Sequence, residues 1–350
     1  MRNQLLGLAF AMCAAGCSSG SIAGSFGSGR VGDATAPTGA TVDGSQNQMV
    51  PSGVLTAGMW DDNLNYDFFR SYQASKAALL GAPGFAVADY DAAHAALAQR
   101  SRHAVVDAAL VIDTTGSMGD EIAYLTAEFS NIAGAISSAF PGADQRWALV
   151  TYRDTPEYDQ GDDYVVRSVD FGGSAAAFTS LLGQQSAGGG GDFPESPELG
   201  LAALPQLTWR GGDTVAKLAF WVGDAPQHAQ NSPAMKQAIT DVRAAGIHVY
   251  PVSASGTDEL LEFTMRAAAQ LTGGRYMFLT DDSGIGDTHK TPEIPCYYVT
   301  KLQQAIVRAV SAELTGVTPA LDPAQIIRTV GNPSASGQCV SADNQTVQIY

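Results

Sequence analysis

The chain has 350 residues, 45% of them hydrophobic, which allows one large domain with additions or two modest domains. Asp and Glu number 35 against 19 Lys and Arg, a formal charge of −16. That balance argues against nucleic acid and against an anionic lipid surface as electrostatic partners, and suits cation binding or plain solubility.

In chain order, "MRNQLLGLAFAMCAAGC" carries one Arg and then an apolar run from Leu5 to Ala15. The run is too short to span a bilayer as a mature helix and reads as a secretory signal over residues 1–16. Its end, "AAGC", resembles a bacterial lipobox. The resemblance implies cleavage after Gly16 and lipidation of Cys17, with ordinary secretory cleavage as the alternative, because Ala14 stands where Leu is usual. Ser18 and Ser19 lack the Asp that retains lipoproteins at the inner membrane. The implied location is the bacterial outer membrane or cell surface, with attachment to the membrane through the lipid anchor. Residues 17–53 are rich in Gly, Ser, Ala and Thr and read as a tether.

Residues 54–103 form an N-terminal extension with a short strand and a helix, where Asp61, Asp62 and Asn63 are placed to cap that helix. A second helix follows in "DYDAAHAALAQRSR". From residue 104 to 315, apolar runs alternate with segments of helical period. Strands are expected at 105–112, 147–152, 164–169, 217–222, 247–252 and 275–279. Helices are expected at 120–138, 174–182, 198–204, 233–245 and 259–271, and a last one from Tyr298 to Leu314. The pattern predicts an α/β fold: a doubly wound, mostly parallel, Rossmann-like sheet with one antiparallel edge strand, plus terminal extensions. Residues 316–350 read as a tail. Cys296 and Cys339 are an even pair in an oxidising compartment and read as a disulfide, with two free buried thiols as the alternative. Cys296 is expected at the entrance to the last helix, so the bond would limit that helix's travel.

The chemistry concentrates in "LVIDTTGSMGDEI", residues 110–122, where a strand runs into a carboxylate and a set of hydroxyls. An aspartic-protease loop does not fit, because an extra Thr separates Asp113 from Gly116. A phosphohydrolase of the haloacid-dehalogenase type would use Asp113 as nucleophile and Mg²⁺. Position 228 then holds His where an acid or amide belongs, and Thr114 replaces the ion-pump lysine.

Asp113, Thr115 and Ser117 instead match Asp-x-Ser/Thr-x-Ser. Alternate side chains at a strand end point one way, so three hard oxygen ligands converge on a cation. The motif resembles the metal-ion-dependent adhesion site of von Willebrand factor A domains, and the strand and helix order of residues 104–315 resembles that fold. The resemblance implies Asp192, in "GGGGDFPES", as the ligand of a second loop, where Thr is usual. It implies Asp224, in "FWVGDAPQH", as the ligand of a third. Glu195 is the substitute for Asp192. Arg153 and Asp154 either border the metal rim or pair with each other, and His228 is expected to pack the loop. "TDDSGIGDTH", residues 280–289, does not match a calcium loop and reads as a solvated turn.

The implied cofactor is Mg²⁺, with Mn²⁺ or Ca²⁺ as alternatives. The implied function is non-enzymatic binding of another envelope or extracellular protein, through an acidic side chain of that partner. Three carboxylates on one ion would tighten its hold yet repel an acidic partner. The competing classes are the phosphohydrolase and a structural envelope protein whose metal only stabilises the fold.

Overall fold

The computed structural model describes residues 51–97, 102–172 and 174–350. They fall within one compact unit, residues 38–350. The signal segment, Cys17 and the tether through residue 50 lie outside the described residues.

The elements run β1 Thr56–Trp60, α1 Tyr66–Leu80, α2 Val87–Ala96, β2 Val105–Asp113, α3 Gly119–Ala139, β3 Gln145–Tyr152 and β4 Val166–Val169. Then come α4 Ala175–Leu182, α5 Pro197–Ala203, β5 Val215–Gly223, α6 Ser232–Ala244, β6 His248–Ser253, α7 Glu259–Thr272 and β7 Tyr276–Leu279. The chain finishes with β8 Tyr297–Lys301, α8 Leu302–Thr315, β9 Arg328–Val330, β10 Gln338–Val340 and β11 Thr346–Gln348. Starts are set locally: Ser174 accepts from Ala177 N–H ahead of α4, and Asp258 from Leu261 N–H ahead of α7. Gly81, Gly273 and Gly316 close α1, α7 and α8 in the left-handed conformation.

A nine-stranded sheet has the order β4-β3-β2-β5-β6-β7-β1-β8-β9, while β10 and β11 form a separate hairpin. Strands β3, β2, β5, β6 and β7 are parallel. Alternate residues of β2 feed opposite cores, as a period of two requires. Ala108, Leu110 and Ile112 pack with Leu125 and Phe129 of α3, Phe178 of α4 and Ile306 of α8. Ala109 and Val111 face the other way, among Phe69 of α1, Tyr90 of α2, Leu201 of α5, Ile239 of α6 and Phe263 of α7. Helices thus cover both faces, which is why β2 reads as a continuous apolar run. Each large side chain so buried contributes roughly 1.5–3 kcal/mol.

The expectation of one antiparallel edge strand is corrected. Strand β4 is antiparallel to β3 at one edge, as expected. At the other end β1 is antiparallel to both β7 and β8, and β9 is antiparallel to β8. The stretch read as an extension is therefore built into the sheet, with β1 between β7 and β8. The C-terminal stretch likewise supplies the outermost strand, β9.

The expected helix from Tyr298 is also corrected, because residues 297–301 are strand β8 and the helix begins at Leu302. Tyr, Tyr, Val and Thr fit a pleated, buried surface better than a helix. Cys296 and Cys339 form a disulfide. Cys296 therefore stands ahead of a strand, not at the entrance to the last helix. Asp61 does not cap α1 either. Its Oδ1 accepts from the N–H groups of Asn63 and Leu64, both at 2.9 Å, closing the turn before the helix. No described helix is long and apolar enough to cross a membrane.

Candidate metal centre

Chain order reverses direction at β2, whose neighbours are β3 on one side and β5 on the other. In open α/β sheets such a switch point opens a crevice at the C-terminal strand ends. Asp113 is the last residue of β2 and fully buried. The parallel register Ile112↔Val222 sets it beside Gly223, so Asp224 follows on the same rim.

Thr115 donates its N–H at 2.9 Å and its hydroxyl at 2.6 Å to Asp113 Oδ1. The Tyr152 hydroxyl donates to Asp113 and accepts from Trp221 Nε1 at 3.1 Å. That hydroxyl explains Gly223: a Cβ there would lie 2.6 Å from it. Ser117 hydrogen-bonds Asp224. The expected ligands Asp113, Thr115, Ser117 and Asp224 thus share one rim.

The glycine loop is tied to this rim by its backbone. Gly188 N–H donates to Thr114 O at 3.1 Å, and Gly116 N–H to Gly189 O at 3.2 Å. Gly190 has a φ of +77°, and a Cβ on it would lie 2.6 Å from Glu195 Oε1 and 3.0 Å from Thr115 Cβ. Only glycine fits both that dihedral and that space. Gly190 thus lies against both Glu195 and Thr115, and the Glu195 N–H donates to Pro226 O at 2.8 Å.

The structure sorts the two acids of this loop differently from the expectation. Glu195 is 3% exposed and acted on by the charges of Asp113 and Asp224. Asp192 is exposed and grouped instead with Asp154 and His228. Of the two acids, Glu195 is the one buried beside Asp113 and Asp224. Nor do Arg153 and Asp154 pair with each other. Arg153 donates to Thr114 O at 3.1 Å and Ser186 O at 3.0 Å, and pairs with Asp162, bracing the loops. Asp154 faces His228.

The electrostatics are those of an uncompensated acid cluster. Burial first, and the Asp224 charge second, raise the Asp113 carboxyl above its ordinary range. Burial first, then Asp113, Asp154 and Asp224, push Glu195 up to about 10. Burial also raises Asp224, against a hydrogen bond from Ser117. Among the buried side-chain oxygens without a hydrogen-bond partner in the described residues are four of these acids' own: Asp113 Oδ2, Glu121 Oε2, Glu195 Oε2 and Asp224 Oδ1. Among the described residues none of these four acids forms an ion pair. Unsatisfied buried carboxylate oxygens beside two hydroxyls fit a hard divalent cation. Sequence reasoning missed Glu121, which accepts from the Ser255 hydroxyl and adds to the charge on Asp224. Its place in the first turn of α3, facing the rim, was the available signal.

No family model matches the chain. It is similar to the alpha-protein kinase vwkA of Dictyostelium discoideum, 21% identical over 194 residues, covering 51% of this chain and 30% of that protein. A crystal structure of the pilus adhesin SpaC from Lactobacillus rhamnosus GG aligns with a TM-score of 0.38 and 15% identity, covering 53% of this chain and 30% of the adhesin. The chain thus spans under a third of the length of either relative.

Proposed function

We propose that this chain is a bacterial lipoprotein whose folded part is a von Willebrand factor A-type module, anchored through Cys17 at the outer membrane or cell surface. It binds a divalent cation, Mg²⁺ before Mn²⁺ or Ca²⁺, and uses it to hold another envelope protein. The ligands are Asp113, Thr115, Ser117, Glu195 and Asp224. The observation that carries this reading is the set of unpartnered carboxylate oxygens at the switch point. A cation supplies the charge that no side chain provides there.

Asp113, Glu195 and Asp224 hold the ion mainly through charge. Three carboxylates leave less positive field for an acidic partner than two would, so a carbonyl or water suits the open position better. The test is Mg²⁺-dependent capture from envelope extracts by wild type and Asp113→Ala, beside calorimetric Mg²⁺ titration of both. Loss of capture and of the Mg²⁺ isotherm together in Asp113→Ala supports the reading. Mg²⁺ binding without metal-dependent capture points to a stabilising metal only. Phosphorylation of Asp113 by an acyl phosphate, with turnover, would replace adhesion by phosphohydrolysis.

A further inference from the structure

A second set of ligand-type side chains converges beside the first. Asp154, Asp192 and His228 each offer one ligand atom, all within 4.8 Å of one another. They arrive on three separate loops at the same end of the sheet: after β3, in the glycine loop, and after β5. This is the place where the loop acid Asp192 goes, having left the first centre to Glu195.

The geometry is built. Asp154 is fully buried and His228 is 4% exposed. His228 Nε2 lies 3.1 Å from Asp154 Oδ1 and 3.0 Å from Oδ2. The imidazole stacks on the Tyr158 ring at 3.5 Å between centroids, which fixes its plane. Asp154 Oδ1 also accepts from Thr155 N–H and the Ser196 hydroxyl, both at 2.8 Å. Outer hydrogen bonds of this kind orient ligands for a metal. Asp192, by contrast, is exposed and makes no hydrogen bond or ion pair among the described residues.

Glu195, counted above with the first centre, also feels the charge of this one. Glu195 is nine-tenths buried or more, its Oε2 has no partner, and Asp154 is second only to Asp113 among the charges acting on it. Acids of both clusters, Asp113 and Asp224 of the first and Asp154 of the second, act on it.

We propose that Asp154, Asp192 and His228 form a second cation site, selective for a borderline transition metal such as Zn²⁺. An imidazole nitrogen with two carboxylates suits Zn²⁺, whereas the all-oxygen first centre suits Mg²⁺. Ligands about 2.1 Å from one ion lie about 3.4 Å apart in a tetrahedron, so a small inward turn of Asp192 completes three ligands and leaves water the fourth place. The site goes beyond the adhesion reading and does not depend on it.

The test uses the full chain, freed of metal, with Co²⁺ as a visible probe and Zn²⁺ in calorimetry. Wild type gains the absorption of a low-coordinate Co²⁺ site, and Zn²⁺ displaces it. Asp192→Ala, an exposed change that leaves the core alone, and His228→Ala each weaken both metals by at least about tenfold. Asp113→Ala leaves both unchanged. Binding that survives Asp192→Ala and His228→Ala overturns the site, as does binding lost in Asp113→Ala. No Co²⁺ or Zn²⁺ binding at all also overturns it, and leaves His228 as a hydrogen-bonded clamp on Asp154.

Discussion

Asp107 and Asp113 lie on the same strand, both fully buried, and live in opposite surroundings. Asp107, near the start of β2, accepts from Arg146 Nε at 2.9 Å and from Arg210 Nε at 2.7 Å and N–H at 2.7 Å. Burial works against its charge, but the Arg146 guanidinium, the Arg210 backbone N–H and the Arg210 guanidinium together outweigh it and hold the carboxyl below the usual range. Asp113, at the far end, has hydroxyls and other acids around it, and its carboxyl rises. One end of the strand is a closed ion network that holds the sheet together. The other is an acid cluster with no counter-charge among the described residues, where we propose a cation. Burial alone does not mark a functional carboxylate; burial without a counter-charge does.

The comparison can be broken at either end. The largest effect is expected from Asp107→Ala, which takes the shared carboxylate from two arginines and should cost roughly 3 kcal/mol by denaturant unfolding, the low end for a broken buried pair because both guanidinium groups are partly exposed and Arg210 keeps Asp144. A loss under about 1 kcal/mol would show that the network is ornamental. Next is the metal. Mg²⁺ at 100 times its dissociation constant should stabilise wild type by about 2.7 kcal/mol and leave Asp113→Ala unmoved. An equal shift in both would place the ion elsewhere. The smallest effect is one of sign. Without metal, Asp113→Asn should raise stability at pH 8 by on the order of 1 kcal/mol, because it removes a charge the fold disfavours.

The two ends should also respond oppositely to pH. For Asp113, Glu195 and Asp224 the folded carboxyls are raised. Their stabilising contribution is complete below the ordinary range near about pH 4 and is lost as pH rises, toward about 10 for Glu195. Asp107 is lowered, so its contribution is present above that range and lost as pH falls. Melting in EDTA should therefore weaken from pH 5 to pH 8, and saturating Mg²⁺ should flatten the trend. The same slope with and without Mg²⁺ would count against the acid cluster as the cause.

Much of this was legible in the sequence because periodicity and spacing carry it. The alternating strands and helices of 104–315 and the convergence of Asp113, Thr115, Ser117 and Asp224 follow from local pattern. The choice between Asp192 and Glu195 does not. Gly189 and Gly190 both take positive φ, and these turns decide which acid faces the rim. Spacing counts residues but not dihedrals. Strand β1 was read as an appendage because "TAGMW" is buried throughout, so it shows no alternation. Strand β8 runs directly into α8, and the apolar stripe of the helix masks the change of period.

The position of β1 has a consequence for how the chain becomes a domain. Thr56 pairs with Lys301, and its hydroxyl meets Thr280, a separation of 224 residues. The first described strand to leave the ribosome must wait for nearly the last. Its partners β7 and β8 cannot join side by side until it arrives between them. Assembly of the sheet therefore ends with a long loop closure, a slow kind of step. A chain delivered in pieces, or trimmed past residue 60, would keep the strand ends that carry Asp113 and Asp224 and lose the strand that joins β7 to β8.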